Sequence, residues 1–175
     1  HSLPMIELKM VPDLSPLHAC FEQLDEIDWI VFTSVNAVKF FFQAVEDYGL
    51  KLYFYPELKF ATVGEKTKLT LEQLGYRTNF VPIKYTAEVL AENMDEVEGK
   101  SILIPRSKLA SSDYIESFEK RKARVLPIDL YDNHFINYDP ASIKEHMQMN
   151  FKYLIFTSGS TIQSFVNNLN NSDCS

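Results

Sequence analysis

Five stretches of this chain place hydroxyl or basic side chains directly after apolar runs: Thr33-Ser34, Gly64-Glu65-Lys66-Thr67, Lys84-Tyr85-Thr86, Arg106-Ser107 and Thr157-Ser158-Gly159-Ser160. Such groups at the start of a helix suit one kind of chemistry. Together with the free N–H groups of the first turn and the positive end of the helix dipole, they bind anions. Plain capping accounts for Ser34, for Thr86, and for Ser158 or Ser160 taken singly. The convergence of the whole set on one sheet edge points to an anionic ligand. One held mostly by backbone amides also fits a chain with only four Arg among its 17 basic residues.

Other chemistries lack their residues. There is no Gly-x-Gly-x-x-Gly and no Gly-x-x-x-x-Gly-Lys-Ser/Thr, so NAD, FAD and P-loop chemistry have no support. His1, His18, His134 and His146 show neither zinc spacing nor a triad with a Ser-centred elbow. Cys20 and Cys174 form neither a disulfide framework nor a metal site, which favours a reducing, cytoplasmic setting. The formal charge of −7 argues against nucleic acid as a partner, because phosphate neutralisation dominates such binding. No apolar run approaches the ~20 residues that span a bilayer, and no signal-peptide pattern opens the chain, so a membrane partner is not expected. Phe40-Phe41-Phe42 reads as core and domain interface, and Asp95-Glu96 with Glu98 as a solvated helix end.

The elements that position the hydroxyls follow from period and punctuation. With 46% hydrophobic residues in 175, the chain can bury a substantial core in one large domain or two small ones. After an extended Leu3–Val11, Ser15 and Pro16 open a helix to Leu24, and Trp29–Thr33 is a continuous apolar strand. Ser34 caps a helix with Val38, Phe41, Phe42 and Val45 on one face, ended by Gly49. The spacing then predicts a strand at Phe60–Val63 and a helix over Glu65–Leu74 stopped by Gly75. Next come a strand at Thr78–Val81, a helix from Ala87 to about Glu96 capped by Thr86, a strand at Ile102–Ile104 and a helix over Asp113–Lys122. A long extended segment, Val125–Phe135, is followed by a helix at Pro140–Met147 behind Asp139, a strand at Tyr153–Thr157 and a helix at Thr161–Leu169. Strands alternating with helices, several apolar on both faces, specify an α/β fold with parallel sheets.

The chain also repeats itself. Asp28–Ser34 is echoed by Lys152–Ser158 at an offset of 124 residues, and Leu3-Pro4-Met5-Ile6 by Leu126-Pro127-Ile128-Asp129 at 123. So long a period means duplicated domains rather than a solenoid. At this offset the partner of Ile102–Ile104 falls before residue 1 and that of Phe60–Val63 beyond Ser175. The expectation is one complete domain and part of a second.

Several of these pieces resemble the uroporphyrinogen-III synthase family. They are Trp29–Phe42, Ala61–Thr67 with Leu74-Gly75-Tyr76, Tyr85–Leu90, Ile102–Arg106, Leu126–Tyr131 and Ile155–Ser158. They occur in order over essentially the whole chain. The resemblance implies two parallel-sheet, flavodoxin-like or Rossmann-like domains, one inserted in the other and joined by a two-stranded β ladder. On that reading residues 1–12 are the first ladder strand and 13–124 the complete inserted domain. Residues 125–136 are the returning ladder strand and 137–175 part of the second domain. Leu3–Val11 and Leu126 to about Asn133 are expected to pair antiparallel, outside any parallel sheet.

The resemblance also implies an activity. Family members cyclise hydroxymethylbilane, a linear tetrapyrrole, with loss of water and inversion of the terminal pyrrole ring, as monomers without metal or organic cofactor. Thr33, Ser34, Thr67, Ser158 and Tyr131 match family positions lining the substrate cleft. Arg106 and Lys66 are added as substrate-binding candidates from their place at strand ends. Tyr131 is the candidate proton donor, since a phenol assists a departing hydroxyl without adding negative charge beside substrate carboxylates. A strand tyrosine stacked on a neighbour is the plainer reading of the same residue. A two-domain small-molecule binding protein of the periplasmic type, holding an anion without catalysis, is the alternative. A nucleotide-dependent enzyme, opposed by the absent Gly-rich loops, is a third.

Overall fold

The computed structural model describes residues 2–149 and 151–171, so His1 and Cys174 lie outside the described residues. The chain divides into two compact units. One is Met10–Asp132; the other joins the residues up to Lys9 with those from Asn133 onward.

Four parallel strands form the heart of the larger unit: β2 (Trp29–Phe32), β3 (Lys59–Thr62), β4 (Ser101–Ser107) and the first part of β5 (Arg124–Phe135). With β1 (Ile6–Met10) the sheet order is β1-β5-β4-β2-β3. All four residues of β2 are buried, as a central strand covered on both faces requires. Trp29 and Val31 join Ala61, Ile102 and Ile104 under α4 (Ala87–Asn93) and α5 (Asp113–Lys120), which contribute Leu90, Ala91, Tyr114, Ile115 and Phe118. On the opposite face Phe32 meets the ring of Phe41, from α2 (Val35–Tyr48), edge-on at 5.4 Å. Phe41 in turn meets Phe21 of α1 (Ser15–Glu22) at 5.8 Å.

Local signals set the helix ends. The Ser34 Oγ accepts from the Ala37 N–H at 3.0 Å, and Gly49 closes α2 at φ 76°, its N–H donating to the carbonyls of Val45 and Glu46. Thr86 accepts from the Val89 N–H at 3.2 Å to open α4. At the other end of α4, Arg121 donates to the Ala91 and Met94 carbonyls at 2.7 and 2.6 Å. The remaining helix of this unit is α3 (Glu65–Gln73). Ser15 is not a cap. It is the first residue of α1, and its N–H and Oγ both donate to Asp13 Oδ1, at 2.9 and 2.6 Å.

Two expected strands do not form. Thr78–Val81 contributes a single parallel bridge, Ala61↔Phe80. Pro82 has no N–H with which to extend the pairing, and the Asn79 Oδ1 accepts the Phe60 N–H that a neighbouring strand's carbonyl would otherwise take. Tyr153–Thr157 has the apolar pattern of β2 but no partner strand among the described residues, and it leaves Tyr153 75% and Ile155 87% exposed.

The returning strand also departs from expectation. β5 does not lie outside the parallel sheet: it pairs parallel with β4 from Ser101↔Arg124 to Ser107↔Tyr131. Only its later part serves the antiparallel pairing. In the larger unit the Val11 N–H donates to the Leu130 carbonyl at 3.0 Å. In the smaller unit the Ile136 N–H donates to the Met5 carbonyl, also at 3.0 Å. One partner numbers downward as the other numbers upward, which makes the pairing antiparallel. One strand of the sheet therefore takes part in both the parallel and the antiparallel hydrogen bonding.

The smaller unit packs α6 (Pro140–Gln148) on α7 (Gly159–Asn171). Asp139 caps α6 through the Ser142 N–H at 2.9 Å. Buried Asn168 donates to the Ile136 and Ser164 carbonyls, both at 2.8 Å, and accepts the Tyr138 N–H at 2.7 Å.

Candidate functional site

Two hydroxyls, those of Ser34 and Tyr131, meet at the carboxyl edge of the parallel sheet in the larger unit, whereas the stretch from Thr157 to Ser160 belongs to the smaller unit. β2 ends at Phe32, and the backbone turns through Thr33 and Ser34 into α2. β5 runs alongside β4 until Arg106↔Asp129, then slips one residue so that Ser107 faces Tyr131. The slip breaks the strand's alternation: Leu130 and Tyr131 are both buried, the latter 6% exposed. A bulge of this kind re-aims a side chain. Here the Tyr131 hydroxyl comes to 3.0 Å from the Ser34 Oγ. The Phe40 ring stacks on the Tyr131 face at 5.0 Å and 19°.

The proton count at this pair is informative. Ser34 Oγ already accepts the Ala37 N–H, so it keeps one proton and one further lone pair for Tyr131. Either oxygen can donate to the other.

The other candidates are placed differently. Thr33 is half-buried beside Ser34. Thr67 is buried on the inner side of α3, whereas Lys66 in the same turn is exposed. The Arg106 Nε donates to Asp129 Oδ1 at 2.9 Å and its Nη1 to the Ser112 Oγ at 2.9 Å, so part of its charge is already matched. Burial pushes the neighbouring Tyr114 phenol above its ordinary pKa, opposed by the nearby Arg106 charge. Ser158 belongs to the smaller unit, where its Oγ accepts the Thr161 N–H at 3.3 Å at the start of α7. The structure thus brings Ser34 and Tyr131 into contact. It ties Arg106 to a carboxylate and leaves Lys66 in solvent.

Two participants escaped the sequence. Phe40 looked like its neighbours Phe41 and Phe42, yet its ring is on Tyr131; Asp129 carried no motif. A cavity of about 500 Å³ in the smaller unit is lined mainly by apolar side chains, among them Leu3, Met5, Phe151, Phe156 and Phe165. Among the described residues no cluster of three or more His, Cys, Asp or Glu is placed to hold a metal ion, and no helix is long and apolar enough to cross a membrane.

A family model described as uroporphyrinogen-III synthase HemD matches residues 1–174. The chain belongs to the uroporphyrinogen-III synthase family. It is 28% identical over 166 residues to the porphyrin biosynthesis protein HemD of Ruminiclostridium josui, covering 93% of this chain and 33% of that protein. It is 24% identical to a uroporphyrinogen-III synthase of Synechococcus elongatus, of which it covers 62%. The chain therefore spans between a third and two thirds of the length of these curated relatives. Among solved structures, a mutant uroporphyrinogen-III synthase of Thermus thermophilus shares the fold at TM-score 0.65 and 17% identity, over 94% of this chain and 66% of that one. The Helicobacter pylori uroporphyrinogen-III synthetase does so at TM-score 0.65 and 20% identity, over 95% and 70%. These uroporphyrinogen-III synthase structures establish the mixed α/β fold with its mostly parallel sheet.

Proposed function

We propose that this chain is part of a uroporphyrinogen-III synthase, a lyase that closes hydroxymethylbilane to uroporphyrinogen III with loss of water and inversion of the last pyrrole ring. The observation that carries the reading is the family match over residues 1–174. It also weighs against an anion-binding protein without catalysis. In the same proposal, residues 13–124 are the complete inserted domain and 137–175 part of the other, joined through 1–12 and 125–136. The low cysteine content supports a cytoplasmic setting, and the family reading includes a monomeric enzyme working without a cofactor.

The chemistry asks little of the protein beyond a proton and a shape. The departing hydroxyl takes a proton and leaves as water, and the remaining azafulvene cation is electrophilic without further activation. The chain must then be held so that the substituted carbon of the terminal ring is the one attacked. In this reading Tyr131 supplies the proton, directly or by refilling Ser34, and recovers one when the new ring rearomatises. Thr33, Ser34, Thr67 and Ser158, with first-turn N–H groups, hold substrate carboxylates. Lys66, exposed on α3, adds a mobile cation, and Arg106 a cation partly matched by Asp129.

The test is an isomer assay. The full native polypeptide is given hydroxymethylbilane, and the type I and type III products are separated. Type III above the enzyme-free blank is the expected result; type I alone, at the spontaneous rate, would sink the proposal.

A further inference from the structure

We infer that Phe40 is a positioning residue for Tyr131, fixing the plane of the phenol so that its hydroxyl is delivered to Ser34 at the start of α2. The inference rests on the functional reading above and extends it to a side chain outside the hydroxyl set.

Three consecutive phenylalanines, Phe40 to Phe42, lie in the second and third turns of α2, and their surroundings differ. Phe41 is fully buried against Phe32 and Phe21. Phe42 leans on Tyr76 at 4.7 Å. Phe40 is half-buried, and the ring it meets is that of Tyr131, nearly parallel at 19°. Core packing explains the second and third; it does not explain a flat ring laid over a phenol whose oxygen is already engaged at 3.0 Å.

The geometry has a chemical consequence. A phenolic O–H prefers the plane of its ring, because the oxygen lone pair conjugates with the π system. The ring plane therefore sets the direction in which the proton is offered and in which the lone pairs accept. A flat contact on one face also blocks the swing that would carry the oxygen away from Ser34. Ser34 is itself pinned by the Ala37 N–H, so both ends of the hydroxyl pair are held by the first two turns of one helix. Reactive groups held this way lose little freedom on reaching the transition state.

The experiment uses the full native protein. Phe40→Leu and Phe40→Met remove the flat ring and keep apolar bulk, Phe40→Tyr restores the ring, and each is made with and without Tyr131→Phe. Type III formation at saturating hydroxymethylbilane should fall about tenfold in Phe40→Leu and Phe40→Met, with KM within about twofold, a loss of orientation rather than of binding. Phe40→Tyr should return most of the rate. In the Tyr131→Phe background Phe40→Leu should add nothing, since the residue it positions has lost its hydroxyl. In spectra of protein carrying labelled tyrosine, the Tyr131 ring signals should shift when the Phe40 ring is lost and stay near their places in Phe40→Tyr. An unchanged kcat, a loss confined to KM, a loss that adds to that of Tyr131→Phe, or unmoved Tyr131 signals would each overturn the positioning role alone. Wild-type protein that makes only the type I isomer would overturn the functional reading, and the positioning role with it.

Discussion

Ser34 caps a helix and touches Tyr131 with the same oxygen, so one side chain has a structural duty and, in the proposed function, a chemical one. The cap was legible in Thr33-Ser34, and ligand binding there belongs to the proposed function. Tyr131→Phe separates the duties, because the cap bond to Ala37 does not involve the phenol. The variant should keep its fold by circular dichroism and slow type III formation by roughly 10²–10⁴-fold, the usual loss of a general acid. A fall nearer tenfold would assign Tyr131 to orientation, and an unchanged rate would remove it from the site. Ser34 and Tyr131 could be nominated from the chain because each sits in a stretch that resembles the family. Phe40 and Asp129 could not, since what makes them matter is a neighbour 91 or 23 residues away. The one-residue slip at Leu130, which buries two successive side chains, likewise leaves no trace in composition or period.

Among the elements, β2, β3 and β4 share a fastening at their amino ends. Asp28 accepts from the Lys100 Nζ at 2.7 Å and from the Ser101 N–H at 2.8 Å, and its carbonyl accepts the Lys59 N–H at 3.0 Å. Partial burial pushes the carboxyl up, but the hydrogen bonds from Lys100 and Ser101 and the nearby lysine charges outweigh it and hold the pKa below its ordinary value. A depressed carboxylate stabilises the fold fully above its unfolded pKa of about 3.9 and loses that contribution as the pH falls through the folded value. Asp28→Asn should therefore cost about 1 kcal/mol at neutral pH and show a shallower loss of stability below about pH 4 than the parent. Denaturant melts between pH 3 and 7 would check this, and parallel curves for the two proteins would refute it. Helices were read well because caps and period are local: Gly49, Thr86 and Asp139 end or begin helices where the chain alone put them. Strands were read less well because a strand is completed by another strand. Thr78–Val81 has the composition but makes a single bridge, and Tyr153–Thr157 has no partner strand among the described residues.

For the whole molecule, the two units differ in how much apolar surface they cover. The buried core lies almost entirely in Met10–Asp132, while Tyr153, Leu154 and Ile155 stand open in the smaller unit. Chymotrypsin acting briefly on a polypeptide of these 175 residues should cut first between Phe151 and Phe156 and leave a fragment containing residues 10–132 intact. Mass spectrometry of the early products decides it; first cuts within 10–132 would contradict the reading. β5 carries a last consequence, one of timing. β1 is complete at Met10, yet the strand that pairs with it begins at Arg124 and serves the parallel sheet before it reaches β1. At about 5–20 residues per second, a ribosome takes on the order of ten seconds to bridge that interval. Throughout it β1 waits without the strand that covers its hydrogen-bonding edge in the finished sheet.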